Sequence, residues 1–284
     1  MNYKFLFPAF KKYAVTFSYD DGVKQDIKLI SLLRKYGFRG TFNLNSSKGG
    51  SEKIRKDIYD KDVDCAILPF NEDSLELYKG MEVASHTFTH PFMQYFSYEE
   101  QFEEYRKDIK FLEDFFKTKI HGGAYPFGTY NKDSLLAQQA LGLEYSRTTK
   151  SSYSFNRPYN FLTWNPTIHH NDPRIYELFE KFFKCEEELP VFYVWGHAYE
   201  FDLQHNWEII DKLGEIASKH SDEIWNVTNY ELCYYYKQTD LVYYYLDRRI
   251  QKRVFYSDAD IDIYLETENG DKIVVPKKGT VIYE

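Results

Sequence analysis

Cysteine is nearly missing from this chain, with Cys65, Cys185 and Cys233 odd in number and far apart. That excludes a disulfide framework and a cysteine zinc cluster, and reads as free thiols of a reducing compartment. Long apolar runs are missing too. None approaches the roughly 20 residues that span a bilayer, and the opening stretch Met1 to Lys12 breaks Phe5-Leu6-Phe7 with Pro8 and Lys11-Lys12, too short for a signal-peptide core. The expectation is no membrane partner and a cytoplasmic chain, or a secreted one if a leader has been removed. Positive charge is in deficit, 36 Lys and Arg against 44 Asp and Glu for a net −8, so long-range electrostatics disfavour nucleic acid or another polyanion as partner.

Aromatic residues, by contrast, are abundant. Tyr, Phe and Trp make up 19% of the chain; such rings can stack on sugars, but most are expected to be core or half-buried packing. The 284 residues suffice for one catalytic domain with a substantial core and a small extra unit.

Two short segments carry the chemistry. Asp20-Asp21-Gly22 closes the β-like run Tyr13 to Phe17, and His86 and His90 follow a second such run, Met81 to Ser85. Strand C-termini are where α/β folds place their sites. Two imidazoles and a carboxylate make the three-ligand set of a catalytic divalent ion with one position left for water. His86 and His90 would share a face if they sat on a helical turn. Adjacent carboxylates can divide the work, one binding the ion and the other accepting a proton from water. Taken alone, Asp-Asp-Gly also fits a solvated turn.

Thr16-Phe17-Ser18-Tyr19-Asp20-Asp21-Gly22 and Ser85-His86-Thr87-Phe88-Thr89-His90 resemble the first two motifs of the polysaccharide deacetylases, carbohydrate esterase family 4, which share the nodulation-protein deacetylase homology domain. Ala124-Tyr125-Pro126-Phe127-Gly128 is similar to the third motif, and Val194-Trp195-Gly196-His197 to the last; the likeness covers about the first 235 residues. The resemblance implies that Asp21, His86 and His90 bind a divalent metal, zinc foremost with nickel, cobalt or manganese as alternatives. It further implies that Asp20 is the general base, His197 the general acid, and the Phe127 backbone N–H an oxyanion donor. Substrates would be acetylated mono-, oligo- or polysaccharides, N-acetyl before O-acetyl. Tyr125, Pro126, Trp164 and His170 are candidate substrate contacts.

The departures are equally specific. Family members commonly open the third motif with an Arg that holds the base and place an Asp before the fourth-motif Trp; here those places hold Ala124 and Thr163. Arg147, at the end of an expected strand, is the candidate replacement as orienter of Asp20. Glu200 could position His197, or simply sit near a helix dipole. The missing charges also motivate a second reading, a catalytically impaired carbohydrate-binding protein on the same scaffold.

Alternating βα patterns imply a parallel sheet, with helices expected at about 98–117, 131–141, 173–184 and 205–219 and strands at 120–125, 143–149, 190–196 and 223–227. The resemblance selects a distorted (β/α) barrel. From about residue 238 short β-rich runs take over, so the expected division is a catalytic domain over 1–237 and a small β-rich C-terminal unit over 238–284, serving as a sugar-binding or oligomerising appendage or a lid.

Overall fold

The computed structural model describes residues 3–283. Its centre is an eight-stranded, all-parallel sheet. Strand Tyr13–Asp20 lies in the middle, paired along one side with Ile224–Asn226 at its start and Gly40–Leu44 at its end, and along the other with Val191–His197. Beyond Gly40–Leu44 come Glu82–Ser85, Gly122–Ala124 and Tyr145–Arg147. The sheet curls, and the segment ending in Ile168–His169 bridges its edges: Trp164 bonds Ser146 and Thr148, while Ile168 and His169 pair with Val194 and Trp195. The distorted barrel is thereby present.

Strand periodicity decides what fills it. Tyr13, Val15, Phe17 and Tyr19 pack on the outer core with Leu29, Ile30 and Leu33 of helix Asp26–Lys35, whereas the alternate residues Thr16, Ser18 and Asp20 take part in buried polar contacts. Register then brings strand ends together, with His197 beside Asp20 and Asp20 beside Asn43. The site therefore forms at the C-terminal rim.

Helices Tyr98–Phe116, Lys132–Ala140 and Ile175–Phe182 lie close to their expected spans, the first two opened by capping boxes at Ser97 and Asn131. The helix expected at 205–219 is present as Glu208–Ser218, and three features differ from expectation. A short helix not foreseen, Tyr199–Gln204, precedes it and ends where His205 turns left-handed at φ 52°. Helix Asn229–Thr239 was missed, its Tyr234-Tyr235-Tyr236 run having β-like composition while the Thr228/Glu231 capping box signals the start. His86 and His90 sit on no helical turn: they follow strand Glu82–Ser85 in a loop where Thr87 and His90 have φ 66° and 59°.

The C-terminal residues form antiparallel sheets, but not alone. Val242–Asp247, Lys252–Ser257 and Thr280–Tyr283 make one, and Ile263–Thr267 and Lys272–Val275 make another with the N-terminal strand Tyr3–Leu6. Their apolar faces, including Phe255, Ile263, Leu265 and Val275, share a core with Phe7, Ala14, Val191, Tyr235 and Tyr236. Ala14 and Val191 begin strands whose ends carry Asp20 and His197. This unit thus covers the barrel floor, opposite the site, and is no lid over it.

Candidate active site

A cavity of about 360 Å³ at the rim is lined by Asp20, Asp21, Lys53, Arg55, His86, His90, Tyr125, Phe127, Thr149, Trp195, His197 and Tyr199. Asp20 and Asp21 end the central strand, and Asp21 turns left-handed at φ 78° ahead of Gly22 at φ 68°. The turn separates two neighbouring carboxylates: Asp20 meets Arg147 and Asn43, with His86 Nε2 3.9 Å from its Oδ2, while Asp21 faces His86 and His90.

Asp20 is 2% exposed. Asn43 Nδ2 donates to its Oδ1 at 2.8 Å, and Arg147 Nη2 donates to its Oδ2. Arg147 is itself fully buried, with Nε on Ser18 Oγ at 3.2 Å, Nη1 on the Thr148 carbonyl at 3.0 Å and the guanidinium carbon 4.4 Å from the Trp195 ring centre. Burial alone would raise the Asp20 pKa, but Arg147, His86 and His197 outweigh it and hold the carboxyl below its ordinary range.

Asp21 Oδ1 lies 4.0 Å from His86 Nε2 and 3.7 Å from His90 Nε2, and the three ligand atoms lie within 4.8 Å of one another. Donors about 2.0–2.2 Å from a shared tetrahedral ion would stand roughly 3.4 Å apart, so small side-chain shifts close the set. The tautomer fits as well. His86 Nδ1 is 2.8 Å from the Ala124 carbonyl, which places its proton there and leaves the Nε2 lone pair facing Asp21. Burial lowers both imidazoles, His90 to about 4, keeping them neutral as ligands must be. Asp21 is held at about 2, burial being overcome by His197, His86, Lys53 and His90. The loop is braced from behind, since Asn45 Nδ2 donates to the His86 and Thr87 carbonyls and Asp108 accepts from Ser46 N, Ser46 Oγ and Ser85 Oγ at 2.6–2.7 Å.

His197 ends its strand with Nδ1 3.2 Å from Glu200 Oε1. Burial would lower its pKa, but the Glu200 hydrogen bond and the charges of Asp20, Glu200 and Asp21 raise it. Glu200 also meets His169 Nε2 at 3.1 Å and His170 Nε2 at 3.2 Å. This second cluster does not suit a metal. The Asn171 N–H donates to His169 Nδ1 at 3.1 Å, so the neutral ring carries its proton on Nε2, where a ligand needs its lone pair.

Among the expected substrate contacts, Tyr125 and Phe127 line the cavity, though the Tyr125 hydroxyl is spent on the Leu162 carbonyl at 2.8 Å. Phe127, left-handed at φ 56° and half exposed, stacks on Phe92 at 3.9 Å and forms an apolar rim. Pro126 is buried behind it. Two placements are corrected. Trp164 is in the floor-side core against Tyr145 and Tyr193, because strand pairing with Ser146 turns it inward. His170 is fully buried between Tyr19 and Phe201 and backs onto Gly196, where a Cβ would lie 2.0 Å from its Nδ1. Trp195, Tyr199, Lys53, Arg55 and Thr149 reach the cavity without having been foreseen. Trp195 and Tyr199 flank His197 in sequence and were within reach; the Lys53 and Arg55 pair carries only a two-residue alternation.

The polysaccharide deacetylase family model matches residues 8–146. No curated protein matches the chain. Among solved structures, a putative polysaccharide deacetylase from Mycobacterium smegmatis is similar at TM-score 0.57 and 12% identity, covering 84% of this chain and 94% of that one. The chitin deacetylase of the fungal pathogen Colletotrichum lindemuthianum is similar at TM-score 0.50 and 17% identity, with coverages of 77% and 86%. The Streptococcus pyogenes deacetylase PplD, solved with acetate, is similar at TM-score 0.44 and 22% identity over 52% of this chain, which spans 61% of that protein. At these identities the likeness to the solved structures at TM-score 0.50 and above is one of fold, and the family model, matching the segment that carries Asp20, Asp21, His86 and His90, supports a polysaccharide deacetylase domain over residues 8–146.

Proposed function

We propose that this protein is a metal-dependent carbohydrate deacetylase, hydrolysing an acetyl amide, or an acetyl ester, to acetate and a free amine or hydroxyl. The observation that carries the reading is the convergence of Asp20, Asp21, His86, His90 and His197 on one cavity. Asp21, His86 and His90 would hold the ion, and their nitrogen and oxygen donors suit zinc. A divalent ion there would polarise the acetyl carbonyl and acidify a water. Asp20, kept ionised by Arg147, accepts the proton of the attacking water. The Phe127 backbone N–H donates to the oxyanion that develops on the carbonyl oxygen. His197, its Nδ1 proton directed at Glu200, presents Nε2 to the departing sugar and protonates the amine or alkoxide.

The alternative of an impaired sugar-binding protein is motivated by the missing Arg at Ala124, the missing Asp at Thr163 and the aromatic-rich C-terminal unit. Arg147 meets Asp20 from another strand, which supports retained chemistry. Acetate release from a panel of N- and O-acetylated oligosaccharides is the test. Release should be abolished by a chelator and restored by zinc or another divalent ion; a metal-replete protein that releases none from the whole panel would favour the binding reading.

A further inference from the structure

Two cations enter the cavity from outside every motif. Lys53 and Arg55 flank Ile54 in the hairpin Ile54–Lys56 with Asp62–Asp64, and strand alternation turns both into the cavity while Ile54 points out, 61% exposed. Among the other charges of the hairpin, Lys56 pairs with Asp62 at 2.8 Å, Asp64 with Lys24 and Asp57 with His205. Lys53 Nζ lies 3.3 Å from Asp21 Oδ2. Arg55 has no ion pair among the described residues, and its Nε is buried without a hydrogen-bond partner. Its guanidinium carbon sits 4.3 Å from the Tyr199 ring centre, and that ring is 5.1 Å from His197. The guanidinium is therefore on the His197 side of the cavity, where the sugar would depart.

A partly buried guanidinium without a counter-ion is costly to keep, and its fork of donors matches a carboxylate or phosphate. The acids of the cavity do not supply that anion: Asp20 is matched by Arg147, and Asp21 faces the two histidines and Lys53. We propose that the acetylated substrate is itself anionic, carrying a carboxylate or phosphate on the sugar side of the acetyl group, which Arg55 binds with Lys53 in support. This deepens the deacetylase reading and rests on it for the acetyl group.

The test measures equilibrium binding of N-acetylmuramic acid, N-acetylglucosamine 6-phosphate and N-acetylglucosamine to the full chain in the presence of chelator, so that turnover and anion binding to an ion are both removed. At least one anionic sugar should bind about tenfold tighter than the neutral one, a charge-assisted pair being worth that much. Arg55→Met should bring the ratio to within about twofold, Arg55→Lys should recover part of it, and added salt should narrow it. Preference for the carboxylate alone or the phosphate alone identifies the source of the charge. Equal binding, tighter neutral binding, no binding of any sugar, or a preference that survives Arg55→Met overturns the inference. Acetate release with zinc restored separates the two readings. Turnover of neutral and anionic substrates alike leaves the deacetylase without its anion site, and an Arg55-dependent preference without turnover leaves the anion site without the deacetylase.

Discussion

At the scale of single residues, the acid and base of the proposed reaction are set by different partners, and each partner is open to test. Arg147 holds Asp20 ionised against the effect of burial. In Arg147→Met the Asp20 pKa should rise and the acidic limb of the kcat/KM profile should move to higher pH. Removing one member of a buried pair also costs about 3–5 kcal/mol of stability, so Arg147→Lys, which keeps the charge but not the fork, separates chemistry from folding. An unmoved acidic limb in both variants would sink the role. Glu200 acts in the opposite sense on His197, whose raised pKa keeps the acid protonated at higher pH. Glu200→Gln should lower that pKa, shift the basic limb to lower pH and cut the rate above it about tenfold per pKa unit lost; a basic limb left in place would show that Glu200 only packs. That Asp20, Asp21, His86, His90 and His197 would meet in one cavity was legible from their residue types and from the motifs they resemble. Arg147 was suggested by the family resemblance, whose usual third-motif Arg is replaced by Ala124, and it does meet Asp20. Trp164 and His170 were misplaced because a side chain's facing depends on strand pairing, which spacing in sequence does not encode.

At the scale of elements, the site depends on how closely strand ends approach. Gly123 pairs with Ser85, and a Cβ there would stand 2.3 Å from the Ser85 carbonyl oxygen, one residue before His86. Gly123→Ala should push the two strands apart, lower stability by about 1–3 kcal/mol and weaken zinc binding, read by competition with a chromogenic chelator. Unchanged zinc affinity would show that the His86 loop is positioned independently of that strand. Most strands and helices could be read from periodicity, because one face of each meets a continuous core. Helix Asn229–Thr239 could not, since its buried tyrosines spend their hydroxyls on the carbonyls of Leu6 and Leu189 and so mix polar with apolar signals along both faces. The loop of His86 and His90 failed for a different reason: left-handed backbone at Thr87 and His90 reverses the projection a helical spacing would imply.

For the whole molecule, the β-rich region beyond residue 238 is tied to the barrel at both ends of the chain. Phe255, Ile263, Leu265 and Val275 bury the same apolar surface as Phe7, Ala14 and Val191. A chain ending at 239 should therefore expose the barrel floor and leave Tyr3–Leu6 unpaired, with a lower Tm and a less cooperative melt in calorimetry. A truncated chain that melted like the full one would mean that the unit is an independent appendage. The composition change at 238 was visible in sequence; the return of residues 3–6 to join it was not, because a four-residue strand carries too little pattern to announce so distant a partner.

That pairing has a consequence for synthesis. Tyr3 lies opposite Thr267, so the strand Tyr3–Leu6, once made, must wait for roughly 260 more residues before its partner exists, which at about 5–20 residues per second is some 13–50 seconds. Throughout that interval the nascent barrel has an open floor and an unpaired strand beside it, the kind of exposed apolar edge that holding chaperones recognise. The rim that would carry the chemistry is complete once Val191–His197 has been made, but the floor is sealed only when the strands from Lys252 to Val275 arrive.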